Sequence, residues 1–273
     1  MTDSPTTTVV ENKRWRTILF VVLAGVAALM YLQSFPMILA PWTTSVGYMT
    51  APGIQNPEIH RWHSALTAAA TALLIGGTIL ALLWRPRTKP LLMQYLAVAA
   101  IVSLLLNLPF VGPAMFIVVA PIFVLVAAYP ATRALLEFSQ EGPLSRPLLV
   151  LTLVAAVLLS PVLWHWLALQ IQGVGENATT NEWIADLEHT VLLLLAGAAA
   201  STKRPGWRVL SVLTGVTFLY LGVATLTVPD QPGSWGIVGG ILALVGGVGY
   251  IAATFFESRE AQRIPATAGR EAT

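Results

Sequence analysis

Eight apolar runs, each near the roughly 20 residues a helix needs to cross a hydrocarbon core, divide this sequence. They are Thr17–Leu39, Trp62–Trp84, Leu91–Val111, Ala114–Thr132, Leu148–Gln170, Trp183–Ser201, Val209–Val228 and Trp235–Glu257. The pattern predicts an all-α, polytopic membrane protein with eight transmembrane helices. Its transmembrane domain covers 17–257, between polar tails at 1–16 and 258–273 that are expected to be cytoplasmic and disordered. The connecting segments are short except around Ala40–Arg61 and Ile171–Glu182. No soluble domain is left to carry chemistry, so any active site lies in the membrane or just outside it.

Composition agrees with the pattern. The 273 residues are 56% hydrophobic and only 10% charged, against about 25% charged in soluble domains, and the mean hydropathy is +0.72. There is no cysteine, which excludes disulfides, thiolate metal sites, Cys-ligated iron–sulfur clusters and thiol catalysis. A net charge of +2 spread over several loops gives no groove for nucleic acid.

Charge also orients the chain. With the N-terminus inside, fourteen of the fifteen lysines and arginines fall in inner segments and only Arg61 falls outside, as the positive-inside rule requires. The tryptophans sit at predicted span ends, Trp42, Trp62, Trp164, Trp166, Trp183 and Trp235 outside and Trp15, Trp84 and Trp207 inside, at headgroup level. Both termini are therefore expected in the cytoplasm. Twelve arginines against three lysines fit a GC-rich bacterial genome, hence a bacterial plasma membrane.

The first long outer segment follows the first helix and the second follows the fifth, which suggests a duplicated four-helix unit with halves 17–140 and 141–257. The shift that lays His63 over His189 also lays His60 over Asp186. An even helix count per half would make such a repeat parallel.

The histidines carry the candidate chemistry. His60, His63, His165 and His189 all fall in the outer half of their spans. His60 and His63 are i, i+3 on one helix face, and Glu182, Asp186 and His189 run i, i+4, i+7 down another. Ionisable groups inside a membrane face the protein interior and have a partner or a function. The set predicts a transition-metal centre: imidazoles and Asp186 holding zinc, copper or iron, with Glu58, Glu182 and Glu188 as orienting groups or general base. A metal-dependent membrane enzyme or a redox or assembly factor would follow. Other roles stay open, including a proton or substrate relay in a transporter, a structural subunit, and an Asp186–Arg61 pair that needs no metal.

Glu58-Ile59-His60-Arg61, opening the second helix after a long outer loop, resembles the Glu-x-x-His-Arg motif of the haem A synthases, eight-helix proteins made of two four-helix halves. Here one residue separates Glu58 from His60, and the fourth and eighth helices contain no histidine. The resemblance implies haem b in an electron-transfer protein, with Arg61 at the cofactor.

Two further patterns have simpler readings. The glycines of the eighth helix, Gly236, Gly239, Gly240, Gly246, Gly247 and Gly249, allow close helix approach within the bundle or in a homodimer or larger membrane complex. Asn177-Ala178-Thr179 fits a glycosylation acceptor in an outer loop.

Overall fold

The computed structural model describes residues 6–50, 54–137 and 143–268, and these are helices and connecting turns with no strand. The helices are α1 (Thr6–Leu32), α2 (Pro57–Leu83), α3 (Pro90–Val111), α4 (Ala114–Ala128), α5 (Arg146–Gln172), α6 (Glu182–Ser201), α7 (Trp207–Thr227) and α8 (Gly236–Ala268). Helices α1 and α8 run into both segments expected as tails; residues 1–5 and 269–273 lie outside the described residues.

Seven of these helices are long and apolar enough to cross a membrane; α4 is the exception. At 15 residues it reaches roughly 22 Å at the α-helical rise, short of the ~30 Å core. The expected fourth span, Ala114–Thr132, stops early because Tyr129 precedes Pro130 and takes an extended ψ of 126°, as the residue before proline prefers. The Tyr129 hydroxyl then donates to the Pro86 carbonyl at 2.7 Å, which ties this corner to the turn after α2. The described residues thus form a helical chain with seven candidate membrane-spanning helices and one shorter apolar helix, the composition of a multi-pass membrane protein. Neither an eighth span nor a duplication is established.

Helix α6 is central and packs against α2, α3, α5 and α7. Helices α4, α5 and α8 turn apolar side chains outward, with Ile117, Val157 and Val238 74%, 71% and 72% exposed. A hydrocarbon solvent accommodates such faces without cost. The glycine pattern finds its use inside the chain: a methyl on Gly247 would lie 2.7 Å from the Gly215 carbonyl oxygen, and one on Gly222 would lie 2.9 Å from that of Gly240. These four positions let α7 and α8 approach to backbone contact.

Helix α2 is not uniform. A 3-10 turn at Pro57–His60 leads into α-helix at Arg61–Ala68, then eight residues of π-helix at Ala69–Gly76, then α-helix again at Gly77–Leu83. Such wide turns are rare and concentrate at functional positions. This one begins directly below the histidines.

Candidate functional site: two histidine–carboxylate pairs

Helix periodicity builds the site. On α2, i, i+3 spacing puts His60 and His63 on one face; on α6, i, i+4 spacing puts Glu182 and Asp186 opposite them. His60 Nδ1 lies 2.6 Å from Glu182 Oε1, and His63 Nδ1 lies 2.5 Å from Asp186 Oδ2. All four residues are buried, Asp186 and His60 completely. An ionised carboxylate only accepts, so each Nδ1 carries the hydrogen. For His63, whose other ring nitrogen meets an amide donor, that tautomer leaves Nε2 as the basic nitrogen.

The connection between α5 and α6 covers the pairs. Within its short helix Gly175–Thr179, Asn177 donates from Nδ2 to His63 Nε2 at 2.6 Å and to Glu182 Oε2 at 2.7 Å. Glu176 Oε1 stands 3.4 Å from His60 Nε2. Gln170 holds this segment in place: its Nε2 donates to the Ala178 carbonyl, and its Oε1 accepts from the Ile184 amide. Trp183 donates to the Val174 carbonyl at 3.2 Å and sets its ring edge-on to His63, with centroids 5.1 Å apart.

A second segment closes the other side. Between α7 and α8 the backbone at Gly233 has φ +82°, and a methyl there would fall 3.0 Å from Asp186 Oδ2, 3.0 Å from Trp62 Cδ1 and 3.1 Å from His63 Cε1. Only glycine tolerates both the conformation and the contact. Trp62 in turn meets Trp235 edge-on at 5.3 Å.

Around the pairs lie buried polar atoms that have no hydrogen-bond partner among the described residues: Asp186 Oδ1, His189 Nδ1, Ser64 Oγ, Thr190 Oγ1, Thr225 Oγ1 and the indole nitrogens of Trp62 and Trp235. The threonines make the contrast clear. Thr71, Thr78, Thr152, Thr214, Thr217, Thr227 and Thr254 each donate to the carbonyl four residues back, the usual resting state of a hydroxyl on an apolar helix. Thr190, one turn after Asp186, does not. Unsatisfied buried polar groups cost about 1–3 kcal/mol each, and several near one site point to a bound polar species.

The sequence-predicted residues divide accordingly. His60, His63, Glu182 and Asp186 come together. His189 is buried and lies within electrostatic reach of Asp186. His165 does not join them: α5 buries Leu148, Thr152, Leu159, Trp166 and Gln170, and His165 falls beside that stripe on the exposed surface. Glu58 is exposed and pairs with Arg61 at 3.0 Å. Arg61 also donates to the carbonyls of Ala40 and Pro41, so its partners are on its own side of the bundle and Asp186 is not one of them. Glu188 points away from the pairs and accepts from Asn107 Nδ2 at 2.6 Å. Asn177, read from sequence as a glycosylation acceptor, is buried in the site. Asn177 and Glu176 are the residues sequence reasoning missed; the signal available was two polar residues closely preceding Glu182.

Among the described residues, no group of three or more histidine and acidic side chains stands preformed as a metal site. Nor do His60 and Arg61, the residues of the haem-synthase-like segment, fit a haem. Both His60 nitrogens stand beside carboxylates, and Arg61 is engaged by Glu58 and two carbonyls. In comparisons with known proteins, no family model, curated sequence or solved structure matches the chain.

Proposed function

We propose that this chain is a multi-pass protein of the bacterial plasma membrane whose two histidine–carboxylate pairs form a proton-exchanging site on the extracytoplasmic side. The observation that carries this reading is His63 held between Asp186 and Asn177, buried and next to a second pair of the same construction. A carboxylate on Nδ1 orients an imidazole and stabilises the imidazolium formed when Nε2 accepts a proton. Asn177 meets that same Nε2, so a molecule bearing an acidic O–H or N–H would displace the amide and donate in its place. The unpartnered Asp186 Oδ1, His189 Nδ1 and Thr190 hydroxyl supply further bonds for the molecule or for water that carries the proton away. The side assignment rests on the lysine and arginine distribution.

A second reading has one observation in its favour. Carboxylates on Nδ1 are also the usual support for metal-ligating histidines. His60 Nε2 to Glu176 Oε1 is 3.4 Å and His63 Nε2 to Glu182 Oε2 is 3.5 Å, close to the separation of neighbouring ligands bonded at about 2.1 Å to one tetrahedral ion. On this reading zinc, copper or iron would be held by His60, His63, Glu176 and Glu182, with Asn177 swung aside and Asp186 as the orienting group.

One experiment separates the two. Protein purified in detergent is analysed for metals by mass spectrometry, and its imidazole nitrogens are followed through a pH titration by nitrogen-15 NMR. Proton exchange predicts no stoichiometric metal and a His63 imidazole whose protonation changes in Asp186→Asn. Stoichiometric metal that disappears in His63→Ala supports the second reading. A titration of His63 unaffected by Asp186→Asn overturns the first.

A further inference from the structure

A cavity of about 370 Å³ opens between α5, α7 and α8. Its floor is Leu159, Phe218, Ala243 and Tyr250, all buried. Its open side lies between helices whose neighbouring side chains face outward at hydrocarbon depth. Along α8 the lining runs from Trp235 to Tyr250, roughly 22 Å at the helical rise, which exceeds one leaflet's ~15 Å share of the core.

The lining chemistry selects the occupant. Its walls are almost entirely aliphatic and aromatic carbon, which falls short of the 2–4 polar partners that hold water in a buried site. The medium outside the opening is acyl chain. The two ends differ: at one, the Tyr250 hydroxyl is already paired with Thr152 at 2.6 Å; at the other, the Trp235 indole nitrogen is buried and unpartnered. A long apolar trough with one unused donor at a single end matches an amphipathic molecule, chain inward and polar group at Trp235. We propose that this groove binds one acyl chain of a membrane phospholipid, with its headgroup or ester end at Trp235. Because Trp235 touches Trp62, which packs with His63 and Asp186 around Gly233, the polar end of that lipid would stand beside the histidine pairs. The binding itself is independent of what the pairs do.

Gly246 provides the test. It lines the groove, and a methyl on it would meet nothing within 4 Å, so Gly246→Leu fills the trough without forcing the backbone and improves helix propensity. The full chain is reconstituted in vesicles of phosphatidylglycerol bearing a photoreactive diazirine on one acyl chain. It is then extracted into detergent, irradiated, and the adducts are mapped by peptide mass spectrometry. The expected result is adducts on Leu159, Phe218 and Ala243 that survive extraction, while adducts on the bilayer-facing Ile117 and Val157 are lost as their lipid exchanges away. Gly246→Leu should remove the floor adducts with its unfolding temperature intact. Floor adducts that vanish on extraction together with those at Ile117 and Val157 would show ordinary solvating lipid and overturn the proposal, as would floor adducts undiminished in Gly246→Leu.

Discussion

His63 Nδ1 and Asp186 Oδ2 stand 2.5 Å apart with both residues buried, in the half of the bundle where two loops meet. A pair so placed has no water to replace either partner. Removing one member leaves the other buried and unsatisfied, which for the His63 Nδ1–H costs about 1–3 kcal/mol, whereas exchanging both for apolar groups is often neutral. Asp186→Leu is therefore expected to lower the unfolding temperature sharply, and His63→Leu combined with Asp186→Leu to recover most of it. A double-mutant cycle by thermal unfolding in detergent reads the coupling, and additive losses would show that the two side chains do not interact.

Gly233 imposes a different constraint on the same pair. Alanine there adds strain at φ +82° and places carbon about 3 Å from Asp186, Trp62 and His63 at once. The loop must lift away. Gly233→Ala should cost about 1–3 kcal/mol and increase hydrogen exchange at 228–235 while leaving α6 protected. Unchanged exchange in that segment would mean that the loop is not seated on the histidine.

Most of the helical layout was legible in the sequence because apolar run length is a strong signal: α2, α3, α5, α6 and α7 agree with an expected run to within five residues at either end, while α1 and α8 extend into the polar segments expected as tails. The shortness of α4 was harder to see, since Ala-rich hydropathy continues past Pro130 while the backbone cannot. The pairing of α2 with α6 was half legible. Spacing put His60 with His63 and Glu182 with Asp186, but no periodicity reveals which residues of a loop fold back over them, and Asn177 escaped for that reason. His165 misled because depth was readable and facing was not: it lies next to the buried Trp166, about 100° around the helix from it.

The contact between α7 and α8 separates glycines that are required from those that are not. Gly247→Val would drive carbon into the Gly215 carbonyl 2.7 Å away, whereas Gly246 has open space. Gly247→Val is expected to destabilise by several kcal/mol, through overpacking and loss of close approach together, and Gly246→Ala to be neutral or slightly stabilising. Thermal unfolding of the two neighbouring variants compares them directly, and equal effects would mean that this helix contact does not depend on backbone proximity.

On α6, Glu188 faces away from the histidines toward Asn107 of α3, and the hydroxyl-bearing Tyr31 and Tyr95 lie within reach of its charge. Asn107 also donates to the Ser103 carbonyl, so its amide is fixed before it meets the carboxylate. This is a structural clamp between α3 and α6. Glu188→Gln keeps an acceptor for Asn107 and should cost less than about 1.5 kcal/mol, the worth of a typical hydrogen bond. Asn107→Leu instead leaves a buried carboxylate unsatisfied and should cost about twice as much or more. If Glu188 served the histidine site, Glu188→Gln would instead change the protonation of His63 while sparing stability.

Orientation is tested most directly by the chain's lack of cysteine, which gives a clean background for single thiols. Ser45 lies in the exposed segment beside the histidine end of the bundle, and Thr88 lies in the exposed turn between α2 and α3 at the other end. The lysine and arginine distribution assigns the first to the outside and the second to the cytoplasm. Ser45→Cys in intact cells should react with a membrane-impermeant maleimide, and Thr88→Cys should react only after the membrane is opened. The reverse pattern would put the histidine pairs on the cytoplasmic side, where the same chemistry would exchange protons with a different compartment, and would remove the charge argument on which the extracytoplasmic assignment rests.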